Sequence, residues 1–179
     1  MPTIILDRDG VINQDSEDFI KSPDEWQAID GSLPAIAQLK SAGYQIAVAT
    51  NQSGLARGLF SRATLQTIHR KMIQQTREIG GEFDEIVFCP HHPDANCECR
   101  KPKTGLLQAI NAKISLNADT DWLVGDTGND LKAAQRMGIR AALVETGKGD
   151  QEIKTGIVSR ETVPVFKNLA HFTSWLLNV

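Results

Sequence analysis

Short apolar runs alternate with longer segments of helical period along this chain of 179 residues. Each apolar run has the length of a buried strand and is followed by polar residues or glycine. The runs predict strands at residues 3–6, 44–49, 85–88, 122–124, 141–144 and 163–166. The segments between them predict helices at residues 32–43, 61–79, 104–114 and 130–137, and a last helix towards residue 177. Ser32 and Ser61 are the predicted N-caps of the first two helices, and Gly43 is predicted to end the first.

This alternation predicts an α/β fold, a doubly wound, Rossmann-like parallel sheet covered by helices on both faces. The sequence contains no repeat or linker, so residues 1–179 are predicted to form one domain, with a loop insertion at 89–99 and no large cap domain. Ligands of such sheets bind beyond the carboxyl ends of the strands. Asp7, Thr50, Cys89 and Asp126 each follow a predicted strand, so we expect them to gather along one edge.

Two acidic segments lie at these strand ends. Asp7 and Asp9 project to the same side, although an Asp-x-Asp-Gly sequence is also typical of a turn. The segment 125–130 follows another strand and is predicted to lie beside Asp7, although Thr127 or Asn129 could simply cap a helix there. Gathered carboxylates repel each other, and a hard divalent ion such as Mg²⁺, which prefers oxygen ligands, removes that repulsion. The two segments together therefore predict a magnesium site.

Phosphoryl transfer requires a nucleophile, an acid/base, a cation and groups that neutralise the phosphoryl oxygens. Asp7 can attack phosphorus, and Asp9 can protonate the leaving oxygen and later activate water. The hydroxyl of Thr50 can hold one phosphoryl oxygen, and Lys101 can place a positive charge on another. These residues predict a phosphatase.

Four segments resemble, in order, the four motifs of the haloacid dehalogenase-like phosphatases: residues 7–10, 50–52, 100–102 and 125–130. The resemblance implies that Asp7 is the nucleophile and that Asp9 is the acid/base. It also implies that Mg²⁺ binds Asp7, the backbone carbonyl of Asp9 and the side chain of Asp126. Asp130 is then a residue behind the ligands that orients the surroundings of the metal.

All three cysteines lie within residues 89–99, together with two histidines. An odd and clustered number of cysteines argues against a disulfide framework. A set of three thiolates and one imidazole suits a closed structural zinc site, and the candidate ligands are Cys89, His91, Cys97 and Cys99. Unrelated loop cysteines and histidines on a turn are the alternative. Bound zinc would order a loop with little apolar area to bury, and would fix the following residues Arg100 and Lys101 near the phosphate.

This loop narrows the resemblance to the heptose bisphosphate phosphatases and the similar histidinol-phosphate phosphatases. Members of the first family remove the 7-phosphate of heptose 1,7-bisphosphate during lipopolysaccharide synthesis, and the resemblance implies this activity. Hydrolysis of histidinol phosphate is the alternative activity. The resemblance implies substrate contacts from Asp15, Asn51, Gln52, Ser53 and Arg100. Arg57 is a further candidate for a second phosphate, or else a solvated loop charge. The sequence departs from many relatives at residues 15–18, which read Asp-Ser-Glu-Asp, and at residue 127, a Thr where some have Lys.

Charge and hydropathy exclude other classes of function. The net charge of −3 and the absence of a basic, aromatic-rich stretch argue against a nucleic-acid ligand, including a nucleic-acid 3′-phosphate. No apolar run approaches the roughly 20 residues that a membrane helix needs, and no signal peptide is recognisable. We therefore expect a cytoplasmic protein acting on a small phosphorylated sugar, and the lack of a large cap insertion favours a monomer. Another small phosphomonoester as substrate, or a zinc-stabilised binding module without activity, are the remaining alternatives.

Overall fold

Across residues 1–178, which the computed structural model describes, six strands form one parallel sheet. The strands are β1 (Thr3–Leu6), β2 (Gln45–Asn51), β3 (Glu85–Cys89), β4 (Trp122–Gly125), β5 (Arg140–Val144) and β6 (Val165–Phe166). Their order in the sheet is β3-β2-β1-β4-β5-β6. The prediction of a doubly wound parallel sheet is confirmed, and the described residues contain no large cap domain.

Six α-helices connect or flank these strands in the described residues. They are α1 (Ser32–Ser41), α2 (Arg62–Glu78), α3 (Gly105–Asn111), α4 (Gly128–Met137), α5 (Gly149–Lys154) and α6 (Leu169–Leu177). Helix α5 was not predicted, and a short 3₁₀ turn, Pro93–Ala95, lies in the cysteine-rich loop. No helix within residues 1–178 is long and apolar enough to cross a bilayer.

Of the two predicted N-caps, Ser61 is confirmed and Ser32 is wrong. Ser61 caps α2 by accepting a hydrogen bond from the backbone N–H of Thr64 at 3.1 Å. Ser32 is instead the first residue of α1, and Gly31, in the left-handed conformation, precedes it. The Ser32 hydroxyl donates to the carbonyl of Ile12 at 2.6 Å, so it ties the helix to the loop after β1. A tertiary contact has replaced the local cap.

Alternate residues of the central strands enter two separate cores. Ile4 and Leu6 of β1 pack in the core that includes α1, α2 and α6, whereas Ile5 packs in the core that includes α3 and α4. All three side chains are fully buried. A strand buried on both faces reads as a continuous apolar run, which explains the pattern of the sequence.

The strand order reverses next to β1, which lies between β2 and β4. Helix α1, which follows β1, packs against α2 and α6, whereas α4, which follows β4, packs against α3 on the opposite face. The chain therefore leaves the sheet in opposite directions after β1 and β4. Such a switch point opens a crevice at the carboxyl ends of the two strands, the usual ligand site of this architecture.

Candidate active site

A cavity of about 400 Å³ lies at this switch point. Most of the residues predicted from the sequence line it: Asp7, Asp9, Asp15, Asn51, Gln52, Ser53, Arg100, Lys101, Asp126 and Asp130. They come from the loops or strand ends that follow β1, β2, β3 and β4. Thr50 and Arg57 were predicted to belong to the site but do not line the cavity.

Lys101 is the central cation of the cavity. Its side chain is 1% exposed, and its ammonium lies 3.0 Å from Asp7 Oδ2 and 2.6 Å from Asp130 Oδ1. It also donates to the carbonyl of Ala49 at 2.6 Å. Burial alone would lower the pKa of Lys101, but the carboxylates of Asp130 and Asp7 raise it above its usual value. The ammonium is therefore a fixed positive charge that holds two acidic side chains together.

The amide of Asn51 holds Lys101 in place through its backbone. Asn51 Oδ1 accepts from the Lys101 N–H at 3.1 Å, and Asn51 Nδ2 donates to the Lys101 carbonyl at 3.1 Å. Asn51 was predicted to contact substrate, and it does line the cavity, but its amide already has these two partners. Its role in this structure is to join the end of β2 to the segment that carries the lysine.

Asp7 and Asp126 are buried acids in a negative environment. Burial raises the pKa of Asp7 to about 7, with Lys101 opposing the rise and the carboxylates of Asp130 and Asp9 adding to it. Burial also raises the pKa of Asp126, and Asp7 and Asp130 add to that rise. One carboxylate oxygen from each of Asp7, Asp126 and Asp130 lies within 4.8 Å of the others. Oxygens at this spacing fit around a single divalent ion, with metal–oxygen distances of about 2.0–2.6 Å.

The stabilising effect of Mg²⁺ is expected to depend on pH. A carboxyl whose pKa is raised by folding favours the folded state below its unfolded value, near pH 4, and this contribution is lost as the pH rises through about 7. Mg²⁺ binds the ionised form and recovers the loss. The increase in Tm on adding Mg²⁺ to zinc-containing protein should therefore be larger at about pH 8 than at about pH 5.5.

Comparing Tm with and without Mg²⁺ at each pH removes the contributions of other groups. His69 requires this control, because burial lowers its pKa to about 4 and its stability contribution has the opposite pH dependence. An equal Tm increase at both pH values would contradict the assignment of Asp7 and Asp126 as raised-pKa ligands.

The backbone of two neighbouring loops closely surrounds the carboxylate of Asp126 and fixes its orientation. Its Oδ2 accepts from the N–H of Lys148 at 2.9 Å. A Cβ added at either Gly10 or Gly147 would lie 2.2 Å from the same oxygen, and both glycines have positive φ. The hydroxyl of Thr146 donates to the Gly10 carbonyl at 2.7 Å and joins the two loops. The carboxylate is thus held between the loops after β1 and β5, where no larger residue fits.

Asp9 is surrounded by donors. The buried guanidinium of Arg8 donates to its carboxylate through Nε at 3.1 Å and through Nη2 at 2.9 and 3.0 Å. Asn13 and Gln52 each donate a further bond at 2.9 Å. Burial would raise the pKa of Asp9, but the charge of Arg8 and these bonds lower it. The structure therefore holds Asp9 as an ionised base. Arg8 Nη1 also lies 3.4 Å from Nε2 of the buried His69.

Thr50 is fully buried at the end of β2, and its hydroxyl accepts from Gln52 Nε2 at 2.9 Å. The sequence placed Thr50 just beyond the strand, but β2 continues to Asn51. Its hydroxyl lies behind Gln52, outside the lining of the cavity, and its contact with a phosphoryl oxygen stays a prediction.

The two arginines predicted to contact substrate differ in position. Arg100 lines the cavity, and its Nη1 is buried with no hydrogen-bond partner among the described residues. A buried unpaired donor is costly, and an acceptor on a molecule in the cavity would offset that cost. Arg57 instead lies over the ring of Phe19, 5.7 Å from its centroid, and does not line the cavity.

The predicted zinc ligands form a tight cluster. Cys99 Sγ lies 3.1 Å from Cys89 Sγ, 3.6 Å from Cys97 Sγ and 3.2 Å from His91 Nδ1. Tetrahedral zinc with sulfur ligands at about 2.3 Å requires donors about 3.8 Å apart, so the set fits. His92 lies outside the cluster, as expected, with its Nδ1 accepting from the Asp94 N–H.

Two important groups were missed by sequence reasoning, namely Arg8 and Lys148. Arg8 lies between two acids in the sequence, and the local sequence does not show whether such an arginine is buried in an ion pair or exposed to solvent. Lys148 lines the cavity beside Asp15, with their charged groups 3.6 Å apart. It lies between two glycines just after β5, so the strand-end rule that selected Asp7 could also have selected it.

Comparison with known proteins relates this arrangement to characterised enzymes. A family model described as HAD-hydrolase-like matches residues 98–172. A D-glycero-β-D-manno-heptose-1,7-bisphosphate 7-phosphatase of Pseudomonas putida is 49% identical over 170 residues, which are 95% of this chain and 96% of that protein. The enzyme of the same name from Neisseria meningitidis serogroup A is 47% identical over 99% of this chain and 95% of its own length.

A solved structure is also closely similar. The crystal structure of D,D-heptose 1,7-bisphosphate phosphatase from B. bronchiseptica, complexed with magnesium and phosphate, superimposes with a TM-score of 0.95. The sequence identity is 47%, and the match covers 99% of both chains. The enzyme from Burkholderia thailandensis gives a TM-score of 0.78 at 37% identity, over the whole of both chains.

Proposed function

Since the chain belongs to the haloacid dehalogenase-like phosphatases, in the family of the heptose-1,7-bisphosphate 7-phosphatases, we propose that it removes the 7-phosphate of D-glycero-β-D-manno-heptose 1,7-bisphosphate. The reaction is a Mg²⁺-dependent hydrolysis of a phosphomonoester, in the synthesis of activated heptose for lipopolysaccharide. The observation that carries the proposal is the cavity at the switch point, where Asp7, Lys101 and Asp126 meet Asp9.

In the first half of the proposed reaction, an oxygen of Asp7 attacks the phosphorus of the 7-phosphate. The bond from phosphorus to the sugar oxygen breaks, and an aspartyl-phosphate forms on Asp7. Asp9 gives a proton to the leaving oxygen. Because Arg8 favours the ionised form of Asp9, protonation requires that Asp9 release part of its contact with the guanidinium when substrate binds.

In the second half, water attacks the phosphorus of the aspartyl-phosphate. Asp9 takes the proton from this water, in the ionised form that Arg8, Asn13 and Gln52 favour in the structure. The bond between phosphorus and the Asp7 oxygen breaks, inorganic phosphate leaves, and the carboxylate of Asp7 is restored. Lys101, already 3.0 Å from Asp7, remains beside the phosphoryl oxygens and balances their charge through both halves.

The metal site accords with this reaction. We propose that Asp7, Asp126 and the backbone carbonyl of Asp9 hold Mg²⁺, which would neutralise the transferring phosphoryl group when bound. Asp130 is assigned a supporting position. Its Oδ1 lies 2.6 Å from Lys101, and its Oδ2 accepts from both the N–H and the hydroxyl of Thr127. Its Oδ1 thus faces the Lys101 ammonium and its Oδ2 faces Thr127, which suits a position behind the metal ligands.

We propose that the metal of the cysteine cluster is zinc and that its role is structural. Cys99 is followed directly by Arg100 and Lys101, so the cluster fixes the start of the segment that carries both cations. Four protein donors leave no open position for substrate. Elemental analysis of protein purified without chelators should find about one zinc per chain. A zinc content below half would contradict the assignment.

Three further features belong to the same proposal. We propose that residues 1–179 act as one domain, because the loops that carry the catalytic side chains all follow strands of a single sheet. The clustered free thiols favour the reducing cytoplasm. We also propose a monomer, which sedimentation would detect as a species of 19.6 kDa; a species of twice that mass at micromolar concentration would contradict it.

A substrate panel tests the proposed function. We expect kcat/KM for the β-anomer of heptose 1,7-bisphosphate to exceed that for histidinol phosphate by at least about 100-fold. The physical reason is Arg100, whose buried unpaired nitrogen suits the second phosphate that histidinol phosphate lacks. The α-anomer should react more slowly, because the family relatives are named for the β-anomer.

Arg57→Met is the matched control for Arg100→Met in this panel, since Arg57 lies outside the cavity. We expect Arg100→Met to reduce the preference for the bisphosphate and Arg57→Met to leave it unchanged. Faster hydrolysis of histidinol phosphate by the unmodified enzyme would overturn the proposed substrate, although the phosphatase chemistry would stand.

A further inference from the structure

Lys148 is a cation of the cavity that the proposed reaction does not use. It follows β5 and lines the same cavity as Asp7 and Asp126. Its backbone is fixed, because its N–H donates to Asp126 Oδ2 at 2.9 Å. Its side chain is 58% exposed, and among the described residues its one ion-pair partner is Asp15, at 3.6 Å. An exposed pair at this distance is weak, so a ligand can compete for both charges.

The other cations of the cavity are already engaged or lie elsewhere. Lys101 is held by two carboxylates and a carbonyl. Arg100 enters from the segment that follows β3, whereas Lys148 enters from the loop after β5, on the other side of β1. Asp15 and Glu17 lie with Lys148 in the cavity lining, so acids accompany the lysine there. A second phosphate would be repelled by these acids and would be accepted better near Arg100.

The pair of Lys148 and Asp15 also lies between two cavities. Both residues line the active-site cavity and a neighbouring polar cavity of about 470 Å³, which Gln14, Gln151 and Thr155 also line. A carboxylate accepts hydrogen bonds from hydroxyl groups, and an ammonium donates to them. A sugar offers both donors and acceptors on adjacent hydroxyls. The pair therefore matches the neutral, hydroxylated part of a phosphorylated sugar.

We propose that Lys148 is a specificity-determining residue that, together with Asp15, binds hydroxyl groups of the substrate at the mouth of the active site. This inference rests on the proposed function for the identity of the sugar, but its chemistry applies to any hydroxylated phosphate ester. It divides recognition between two sides of the cavity. Arg100 recognises the second phosphate, and Lys148 with Asp15 recognises the sugar body.

The test compares Lys148→Met with the unmodified enzyme on three substrates: heptose 1,7-bisphosphate, heptose 7-phosphate and p-nitrophenyl phosphate. The last has no sugar hydroxyls. We expect the ratio of kcat/KM for each sugar phosphate to that for p-nitrophenyl phosphate to fall about 10-fold or more, as expected for a lost hydrogen bond to a charged group. The loss should appear mainly in KM, and Lys148→Arg should restore part of it.

Lys154→Met is the matched control, because Lys154 pairs with Asp150 on the same helical segment but outside the cavity. Its substrate ratios should not change. The double variant Asp15→Asn, Lys148→Met should lose less of the kcat/KM ratio than the two single variants predict together, because the two residues act as a pair.

Three results would overturn the inference. An unchanged ratio would show that Lys148 does not contact the sugar. A loss confined to the bisphosphate would show that it contacts the second phosphate. An equal loss on all three substrates would show that it acts only through Asp126. Failure of the proposed function is separate, since it would appear as poor turnover of heptose bisphosphate by the unmodified enzyme. In that case the same ratio of kcat/KM values is measured with sorbitol 6-phosphate, a hydroxylated phosphate ester, in place of the heptose phosphates.

Discussion

Replacing Asp7 by Asn is expected to lower kcat for heptose bisphosphate by at least about 10³-fold, because an amide cannot form the acyl-phosphate bond. The substitution keeps the shape of the side chain and removes a buried acid whose pKa is raised to about 7 by burial. The loss should therefore not come from unfolding. Steady-state release of phosphate measures the rate, and the Tm should remain at or above that of the unmodified enzyme.

Asp24→Asn is the matched control, since Asp24 is exposed and follows Pro23 in the loop before α1. It should keep the full rate. Retention of even a tenth of the activity by Asp7→Asn, in a preparation free of the unmodified enzyme, would show that Asp7 is not the nucleophile.

Lys101→Met is expected to lower the free energy of unfolding by about 3–5 kcal/mol and kcat by about 10²–10³-fold. Methionine retains most of the volume, so the effect isolates the charge. The ammonium is 1% exposed and lies within 3.0 Å of two carboxylates, Asp7 and Asp130. Without it these acids are buried together, and no other cation of the described residues lies at that distance from them. Urea unfolding with zinc retained measures the stability.

Lys103→Met is the control two residues further along. Lys103 makes a surface ion pair with Glu98 at 2.8 Å, and Glu98 is 89% exposed. Such pairs contribute about 0–1 kcal/mol, so this variant should remain close to the unmodified protein in both measurements. If the two variants lost the same stability, the central position given to Lys101 would be wrong.

The sequence was most informative where a residue pattern and the strand-end rule agree. Asp7 and Asp126 follow β1 and β4, which are buried on both faces and are evident as continuous apolar runs. The cysteine cluster begins at the end of the half-buried edge strand β3, and there the spacing of the cysteines themselves was the signal. Their chemistry could therefore be located without knowing any distances. The order of the strands was not predictable in this way, because periodicity identifies a strand but does not identify its neighbours.

The sequence was least informative about which partner a polar side chain would choose. The substrate contacts of Thr50 and Asn51 stay predictions, but the sequence did not indicate that the hydroxyl of Thr50 bonds to Gln52 or that the amide of Asn51 bonds to Lys101. Ser32 was predicted to cap a helix, but it bonds to a loop carbonyl. For Asn51 and Ser32 the choice depends on residues distant in sequence that folding brings within about 3 Å. For Thr50 the partner is only two residues away, and the choice depends on the burial of the end of β2. Local pattern does not contain that information.

The same limit applies to Arg8. Its position between Asp7 and Asp9 is visible in the sequence, but its complete burial, which excludes water from its three contacts with the neighbouring Asp9 carboxylate, comes from tertiary packing. These contacts refine the role of Asp9, because they favour its ionised form and hence the step in which it accepts a proton from water.

The most direct test of the central claim is to trap the phosphoryl group on the enzyme. p-Nitrophenyl phosphate labelled in its phosphate is mixed with the Asp9→Asn variant. Its leaving group needs no proton from Asp9, so the phosphoryl group can still transfer to Asp7, whereas loss of the base slows attack by water. The protein is quenched in acid and reduced with borohydride, and its peptides are analysed by mass spectrometry. We expect Asp7 alone to be converted to homoserine, in proportion to the label bound. Label on another residue, or turnover without any label on Asp7, would contradict the assignment of Asp7 as the nucleophile.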